Sequence, residues 1–210
     1  MWTKMPEAIK PLAKDVIWNF SREEPDIFLT FDDGPTPGVT DRVLDYLKEF
    51  DAKATFFCVG GNVQKHPDLF QRILNEGHAV GNHTWNHMNG RKFSDFSYFK
   101  NILQCATLVD STLFRPPYGM LRRSQVKVLK KRFDIIMWDI LTGDWRKDVS
   151  KEECLENAVR HTQNGAIIVM HDSKKAERNV LYTLPGALKV WKARGFSMKT
   201  IPKRVSESED

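Results

Sequence analysis

The sequence is poor in cysteine and contains no long apolar run. Its 210 residues include three cysteines that are far apart and form no Cys-x-x-Cys pair, namely Cys58, Cys105 and Cys154. This pattern argues against a disulfide framework and against a zinc site built from cysteine. Because no stretch of eighteen or more apolar residues occurs, no membrane span is predicted.

The first twenty residues also lack the features of a secretory signal. Charged residues interrupt them repeatedly, and no apolar run precedes a small-residue cleavage site. As written, the chain is therefore predicted to be cytoplasmic. If a leader has been removed, the prediction becomes an envelope-associated or secreted protein.

The chain lacks a dense stripe of basic residues as well. Its formal net charge is only +5, and lysine and arginine gather in short groups at 122–123, 130–132 and 174–175. A nucleic-acid-binding surface would require a stronger basic patch with interleaved aromatic residues. We therefore interpret these groups as solvated helix faces and predict no nucleic-acid partner.

The composition that is present is typical of one globular domain, with 41% hydrophobic and 28% charged residues. We predict an N-terminal extension over residues 1–24, a folded domain over 25–202 and a disordered acidic tail over 203–210. No low-complexity segment or internal linker interrupts the domain.

Short apolar runs alternate with amphipathic segments along the domain. The predicted strands cover 27–31, 54–59, 78–82, 112–115, 134–140, 166–171 and 197–201. Helices are predicted after a cap at Thr40, from Pro67, and over 94–110, 122–132, 151–163 and 176–194, the last broken or kinked at Pro185-Gly186. Repeated βα units favour a parallel sheet. Seven units are few for an eightfold barrel, so the predicted fold class is α/β, a distorted or incomplete (β/α) barrel of about seven parallel strands.

Two adjacent carboxylates, Asp32 and Asp33, follow the first predicted strand and precede Gly34-Pro35. By itself the string is equally typical of a turn. Like charges this close repel each other and raise a pKa unless a cation or hydrogen-bond donors lie among them. The pair therefore indicates a metal and a base side by side.

Unusual polar residues follow several other predicted strands in the same way. Because the carboxyl ends of parallel strands meet at one rim of a barrel, where active sites form, these residues are expected to converge. They are His83, His87, Arg115, Tyr118, Asp139, Asp144, Trp145, His171 and Asp172.

His83 and His87 are four residues apart, so one helix-like turn would place both imidazoles on one side. With an aspartate they form a two-histidine, one-carboxylate set that leaves positions open for water or substrate. Zinc accepts this set, and ferrous iron in oxygenases uses it too. The residues predict a metal without deciding which one. An iron-dependent oxygenase stays open as an alternative, although it gives Asp32 and His171 no role.

Three further types of side chain suit a hydrolytic site. His171 ends an apolar run, where a nearby carboxylate would tune its pKa towards the neutral range that a general acid needs. Arg115 precedes Pro116-Pro117, and a rigidly held arginine is suited to clamping a carboxylate. Aromatic side chains fit either the core or the wall of a sugar-binding cleft, and the candidates are Trp85, Tyr118 and Trp145.

Taken together and in order, these residues closely resemble the motifs of the polysaccharide deacetylase family (carbohydrate esterase family four, the chitin-oligosaccharide deacetylase homology domain). The resemblance covers roughly residues 25 to 202, and the ordered set is far more specific than any one motif. The matching strings are Thr30-Phe31-Asp32-Asp33-Gly34-Pro35, His83-Thr84-Trp85-Asn86-His87, Arg115-Pro116-Pro117-Tyr118 and Ile168-Val169-Met170-His171.

The resemblance implies a catalytic domain that removes acetyl groups from N-acetylated glycans, with peptidoglycan or chitin-like N-acetylglucosamine polymers as substrates. A divalent metal, most often zinc with cobalt or nickel as alternatives, would be bound by Asp33, His83 and His87. Asp32 would then be the general base that takes a proton from the attacking water.

The remaining roles implied by the resemblance concern the surroundings of the base and the substrate. Arg115 would orient the base, His171 would protonate the leaving amine, and Asp144 would tune His171. The backbone N–H of Tyr118 would help to hold the oxyanion. The glycan would contact the aromatic residues Trp145, Tyr118 and Trp85.

One motif departs from the family pattern. The fourth motif commonly reads Asp-x-x-Asp-Trp, whereas this chain has Leu141-Thr142-Gly143-Asp144-Trp145. Asp139 would partly replace the missing carboxylate. The departure leaves open a non-catalytic glycan-binding relative, and an O-acetyl esterase acting on acetylated polysaccharide is a further alternative. The sequence predicts no oligomeric state.

Overall fold

Parallel strands form a single curled sheet in the computed structural model, which describes residues 3–8 and 13–202. Within these residues there are eight strands, whose order is β5-β4-β3-β2-β1-β7-β6, with β8 paired to the start of β1. Their bounds are β1 Asp26–Asp32, β2 Ala54–Cys58, β3 Ala79–Asn82, β4 Leu113–Phe114, β5 Asp134–Ile135, β6 Ile140–Leu141, β7 Ile167–His171 and β8 Ser197–Met198. The predicted α/β fold, an incomplete barrel, is confirmed, because the sheet curls without joining β5 to β6.

The central strands are buried on both faces of the sheet. Helices cover one face, and apolar side chains of the sheet itself fill the other. Phe31 of β1 stacks on Phe56 of β2, with ring centroids 5.1 Å apart. The helices are α1 Thr40–Glu49, α2 Gly60–Lys65, α3 Pro67–Asn75, α4 Asp95–Ala106, α5 Arg123–Leu129, α6 Lys151–Arg160 and α7 Glu177–Ala193. None of the helices in the described ranges is both long and apolar enough to cross a membrane.

The predicted strand over 134–140 is wrong, because the segment forms two strands at opposite edges of the sheet. β5 pairs with β4, and β6 pairs with β7. Between them the backbone has other partners: the carbonyl groups of Ile136 and Met137 accept hydrogen bonds from the buried side chain of Arg115. The predicted strand is therefore interrupted where the side chain of Arg115, the residue after β4, binds these carbonyl groups.

Two local helix predictions are also wrong, namely a break at Pro185 and a cap at Thr40. α7 runs without a break through Pro185, and its neighbour Gly186 packs closely against Leu155 of α6. Tertiary packing thus outweighs the hydrogen bond that the proline removes. Thr40 is the first residue of α1 rather than its cap, and its hydroxyl group donates to the Asp172 carboxylate instead.

The described part of the predicted N-terminal extension lies along the open side of the barrel. Lys4 pairs with Ile140 in β6, while Ile17 exchanges hydrogen bonds with residues 135 and 137. The segment thereby contacts both edges that the sheet leaves unjoined. The predicted acidic tail over 203–210 lies outside the described residues.

Candidate active site

The three predicted metal ligands come together at the carboxyl ends of β1 and β3. One donor atom from each of Asp33, His83 and His87 lies within 4.8 Å of the others. Asp33 Oδ1 is 3.2 Å from His87 Nε2 and 3.8 Å from His83 Nε2. This oxygen is buried and has no hydrogen-bond partner within the described ranges. Because a buried acceptor without a donor is costly, the cluster fits a divalent cation among its three donor atoms.

The imidazole of His83 is held in the form that a metal ligand requires. Its Nδ1 lies 2.7 Å from the Arg115 carbonyl oxygen. Because a carbonyl can only accept, Nδ1 carries the proton and Nε2 keeps its lone pair towards Asp33. Burial and the neighbouring His87 lower the pKa of His83 to about 3, so the ring is neutral.

The histidine pair is brought together by a loop, so the expected helix-like turn is wrong. Thr84 and His87 have left-handed backbones, with φ of 65° and 58°, and the two histidine rings lie 5.0 Å apart. Side chains hold this loop in place: Asn82 accepts from the Thr84 N–H, and Asn101 of α4 accepts from the Trp85 N–H. A positive φ is unfavourable for residues other than glycine, and residues with this strain concentrate at functional sites.

Asp32 and Arg115 form a buried ion pair directly behind the metal cluster. Arg115 Nη1 donates to Asp32 Oδ1 and to Thr30 Oγ1, both at 2.7 Å. Its guanidinium also lies 4.1 Å from the centre of the Phe57 ring. The arginine also donates hydrogen bonds to the backbone carbonyl groups of residues 136 and 137. These contacts hold its guanidinium in one position, and the guanidinium in turn holds the orientation of Asp32.

A second buried carboxylate, Asp172, holds the loop that carries Asp33. It accepts hydrogen bonds from the Gly34 N–H at 2.9 Å and from the Thr40 hydroxyl at 2.6 Å. Burial raises the pKa of Asp172 to about 7. A Cβ atom at Gly34 would lie 1.9 Å from Asp172 Oδ2, so this position admits no side chain. Asp172 was expected at the rim but without a role, since nothing local to it indicates a partner 138 residues away.

His171 and Asp144 form the second charged pair of the site. His171 Nδ1 lies 2.9 Å from Asp144 Oδ1, and the His171 backbone N–H donates to Asp144 Oδ2. Trp145 packs against the imidazole, with ring centroids 4.7 Å apart. Burial by itself lowers the pKa of His171, but the charge and hydrogen bond of Asp144 outweigh it and raise the pKa to about 9.

This pair gives stability a defined pH dependence. The pKa of His171 in the folded state is raised above 6.5, so its stabilisation is complete below about pH 6.5 and is lost as pH rises through about 9. For the metal-free protein, we expect this group to remove about 3 kcal/mol of unfolding free energy between about pH 6 and pH 10. Urea unfolding at both pH values, compared with Asp144→Asn, measures this loss. A His171 ring that titrates near pH 6.5 by NMR in the metal-free protein would contradict the prediction.

A cavity of about 500 Å³ connects these groups. Seven of the predicted site residues line it, namely Asp32, Asp33, His83, His87, Tyr118, Trp145 and His171. Arg115 and Asp144 lie behind the wall and bind residues that form it. Trp138, Met120 and Lys175 also line the cavity and were not predicted; Trp138 falls inside the strand predicted over 134–140, where a tryptophan is ordinarily part of the core.

Trp85 lies in a second cavity of about 490 Å³, which meets the first at Asp33 and His87. Its ring is partly buried and packs against Gly60 at the start of α2. Tyr118, by contrast, is 61% exposed, and its ring lies 4.6 Å from that of His87. The three predicted aromatic residues thus line two adjoining cavities that share Asp33 and His87 of the metal cluster.

Asp139 does not take the place of the missing motif carboxylate, so that expectation is wrong. Its Oδ2 accepts from Arg22 Nη2 at 2.9 Å, and the residue does not line the cavity. Leu141 does line the cavity. Asp139 and Leu141 are close in the sequence, but Asp139 precedes β6 and its side chain binds Arg22 of the N-terminal segment.

A polar cavity at the carboxyl ends of parallel strands, with histidines beside carboxylates, is typical of hydrolases built on α/β barrels. Comparison with known proteins narrows this class. The sequence model described as polysaccharide deacetylase matches residues 21–132. Over 193 residues the chain is 32% identical to a peptidoglycan-N-acetylglucosamine deacetylase of Bacillus cereus, covering 88% of this chain and 70% of that protein.

Two solved structures extend the comparison. The Bc1960 peptidoglycan N-acetylglucosamine deacetylase has a TM-score of 0.87 and 30% identity, covering 94% of this chain and 95% of that chain. BA3943 from Bacillus anthracis, described as a CE4 family pseudoenzyme, has a TM-score of 0.79 and 25% identity, covering 88% of this chain and 66% of that chain.

The chain belongs to the polysaccharide deacetylase family. This confirms the resemblance drawn from the motifs and the enzyme class, hydrolases that act on non-peptide carbon–nitrogen bonds. The family is in general metal-dependent, and the cluster of Asp33, His83 and His87 is a possible metal site in this chain.

Proposed function

We propose that the protein hydrolyses the N-acetyl groups of glycans in a metal-dependent reaction. Its substrate class is peptidoglycan or a chitin-like N-acetylglucosamine polymer. The observation that carries the proposal is the presence, in one cavity, of a metal-ligand cluster, an arginine-held carboxylate and a carboxylate-held histidine.

Asp33, His83 and His87 would hold the metal, with zinc as the first choice and cobalt or nickel as alternatives. When bound, the ion supplies a Lewis acid that polarises the acetyl carbonyl and makes water more acidic. Two of the donor atoms for the ion would be Asp33 Oδ1, which has no hydrogen-bond partner in the described ranges, and His83 Nε2, which carries no proton.

Asp32 is the general base in this proposal. Arg115 holds Oδ1, and the carboxylate lines the cavity, so it can accept the proton of an attacking water molecule. An oriented carboxylate needs no reorganisation when the proton moves, since Arg115 is itself fixed by the surrounding carbonyl groups.

His171 is the general acid. Its Nδ1 is bound to Asp144, which leaves Nε2 to donate a proton to the leaving amine nitrogen. The raised pKa keeps the imidazolium protonated at neutral pH, and Trp145 limits its movement. The backbone N–H of Tyr118 would stabilise the oxyanion, and the rings of Trp145, Tyr118 and Trp85 would pack against the sugars.

Acetate release after metal removal and replacement tests this function. The purified protein is treated with a chelator and assayed on N-acetylglucosamine oligomers and on peptidoglycan, with zinc, cobalt or nickel restored separately. We expect activity to disappear on chelation and to return with at least one of these metals. Full activity in the chelated protein would contradict a metal-dependent mechanism. An acetylated polysaccharide carrying only O-acetyl groups, used in parallel, distinguishes an O-acetyl esterase.

A non-catalytic glycan-binding protein is the second candidate. Leu141 in place of the usual first carboxylate of the fourth motif favours it, and BA3943 is a CE4 family pseudoenzyme. Glycan binding without acetate release under any of the three metals would support this candidate over the deacetylase.

A further inference from the structure

We infer that Asn62 and Asp172 are positioning residues of the metal site. They hold the peptide group that joins Asp33 to Gly34, one at each end, and so direct the Asp33 carboxylate towards the histidines of the cluster. The inference rests on the proposed function, in which that carboxylate is a metal ligand. Neither residue lies within the motif strings that carry the family resemblance.

Both polar atoms of this peptide group are bound by a side chain. Asn62 Nδ2 donates to the Asp33 carbonyl oxygen at 2.8 Å, and the Gly34 N–H donates to Asp172 Oδ1 at 2.9 Å. Because a peptide group is planar and its two polar atoms point in opposite directions, a rotation of this group about the chain would break both hydrogen bonds. Asn62 lies in α2 and Asp172 directly follows β7, so two distant segments fix one peptide group.

These contacts hold Asp33 in a strained backbone conformation. Its φ is 86°, in a region that residues other than glycine rarely adopt. In this conformation Asp33 Oδ1 lies 3.2 Å from His87 Nε2 and has no hydrogen-bond partner within the described ranges. The hydrogen bonds on the backbone therefore set the direction of the carboxylate, since none on that oxygen does.

Asp172 is itself held on its other oxygen. Thr40 Oγ1 donates to Asp172 Oδ2 at 2.6 Å and accepts from the Thr36 N–H at 2.7 Å. Asp172 and Thr40 are both fully buried. A buried carboxylate with a donor on each oxygen has little freedom to move, so it can keep the Gly34 N–H in place.

Neither positioning residue is placed to act on a substrate directly. Asp172 lines neither of the two cavities that meet at the metal cluster. Asn62 lines the second cavity, but its amide nitrogen already donates to the Asp33 carbonyl oxygen. Both residues therefore act through Asp33, and their loss is expected to appear in metal affinity.

Calorimetric titration of the metal-free protein with zinc tests this role. Asn62→Ala removes the donor at one end of the peptide group, and Asp172→Ala removes the acceptor at the other. Gln64→Ala is the control for the first variant, because Gln64 is exposed on the same helix and lines the same cavity. Asp172→Asn is the control for the second, because its amide oxygen can still accept from the Gly34 N–H.

We expect Asn62→Ala and Asp172→Ala each to raise the Kd for zinc about tenfold, as is usual when a residue that orients a metal ligand is lost. Gln64→Ala should stay within about twofold of the wild-type Kd, like most surface substitutions. Asp172→Asn should bind zinc more tightly than Asp172→Ala. Hydrogen exchange at the Gly34 amide in the metal-free protein gives a second readout. It should become faster in Asn62→Ala as well, although the bond lost there is at the other end of the peptide group.

An unchanged zinc Kd in Asn62→Ala and Asp172→Ala would overturn the inference. If urea unfolding then showed both variants to be less stable, the role of these residues would be purely structural. An equal rise of the Kd in Gln64→Ala, or a wild-type protein that binds no zinc, would also contradict it. Acetate release is assayed separately. If zinc binds but no glycan is deacetylated, the proposed function fails, while the zinc Kd values still decide the role of the two residues.

Discussion

Asp32→Asn is expected to lower kcat for acetate release by about three orders of magnitude while the protein still binds its metal. The size follows from the usual contribution of a general base. Asparagine keeps the shape of the side chain and a carbonyl oxygen for Arg115, but it cannot take up a proton. Metal binding should persist because the ligand donor atoms belong to the neighbouring residue and to two histidines.

The adjacent residue provides the control for this prediction. Asp33→Asn removes the carboxylate whose Oδ1 lies nearest both imidazoles, so it should weaken metal binding first and lose activity as a consequence. Metal content by mass spectrometry and kcat at saturating metal are measured for both variants. If both variants lose metal equally, or if Asp32→Asn retains normal turnover, the division between base and ligand is wrong.

Arg115→Met is expected to lower the free energy of unfolding by about 3–5 kcal/mol. Arg115 is fully buried, and its removal leaves the buried Asp32 carboxylate without its cation. It also removes donors from the carbonyl groups of residues 136 and 137, where the chain passes from β5 to β6. Urea unfolding in the metal-free protein measures the effect.

Two further variants separate this effect from a general loss of charge. The double variant Asp32→Asn/Arg115→Met should be more stable than Arg115→Met alone, because it no longer buries an unpaired charge. Arg160→Met breaks an exposed pair with Glu156 and should cost less than about 1 kcal/mol. If Arg115→Met is as mild as Arg160→Met, the buried pair does not stabilise the site.

Much of the fold could be predicted because the relevant signals are local. The apolar runs that become β1, β2 and β7 are contiguous in the sequence, and polar residues of the rim stand at the carboxyl ends of β1 and β7. The weaker predictions concern the edges of the sheet. The segment 134–140 looks like one strand by composition, but its middle carbonyl groups bind Arg115 rather than another strand.

Pro185 shows the same limit for helices. Its missing N–H predicted a break, but α7 continues because buried residues on either side, such as Leu184 and Leu188, pack in the core. A local preference worth a few kcal/mol is outweighed when many apolar contacts favour the continuous helix.

The sequence by itself determined the family, the class of fold and the group of residues that meet at the cavity, since each motif lies within a few consecutive positions. The family motifs also implied the pairs Arg115–Asp32 and Asp144–His171, whereas only the tertiary structure decided the partners of the polar residues outside those motifs. Asp139 binds Arg22, which is 117 positions away, and Asp172 binds Gly34 and Thr40 rather than a site residue. Such pairings depend on which strand ends become neighbours and on which polar groups remain to be satisfied in a buried site. Because those conditions arise only when the barrel is assembled, they leave no local pattern in the chain.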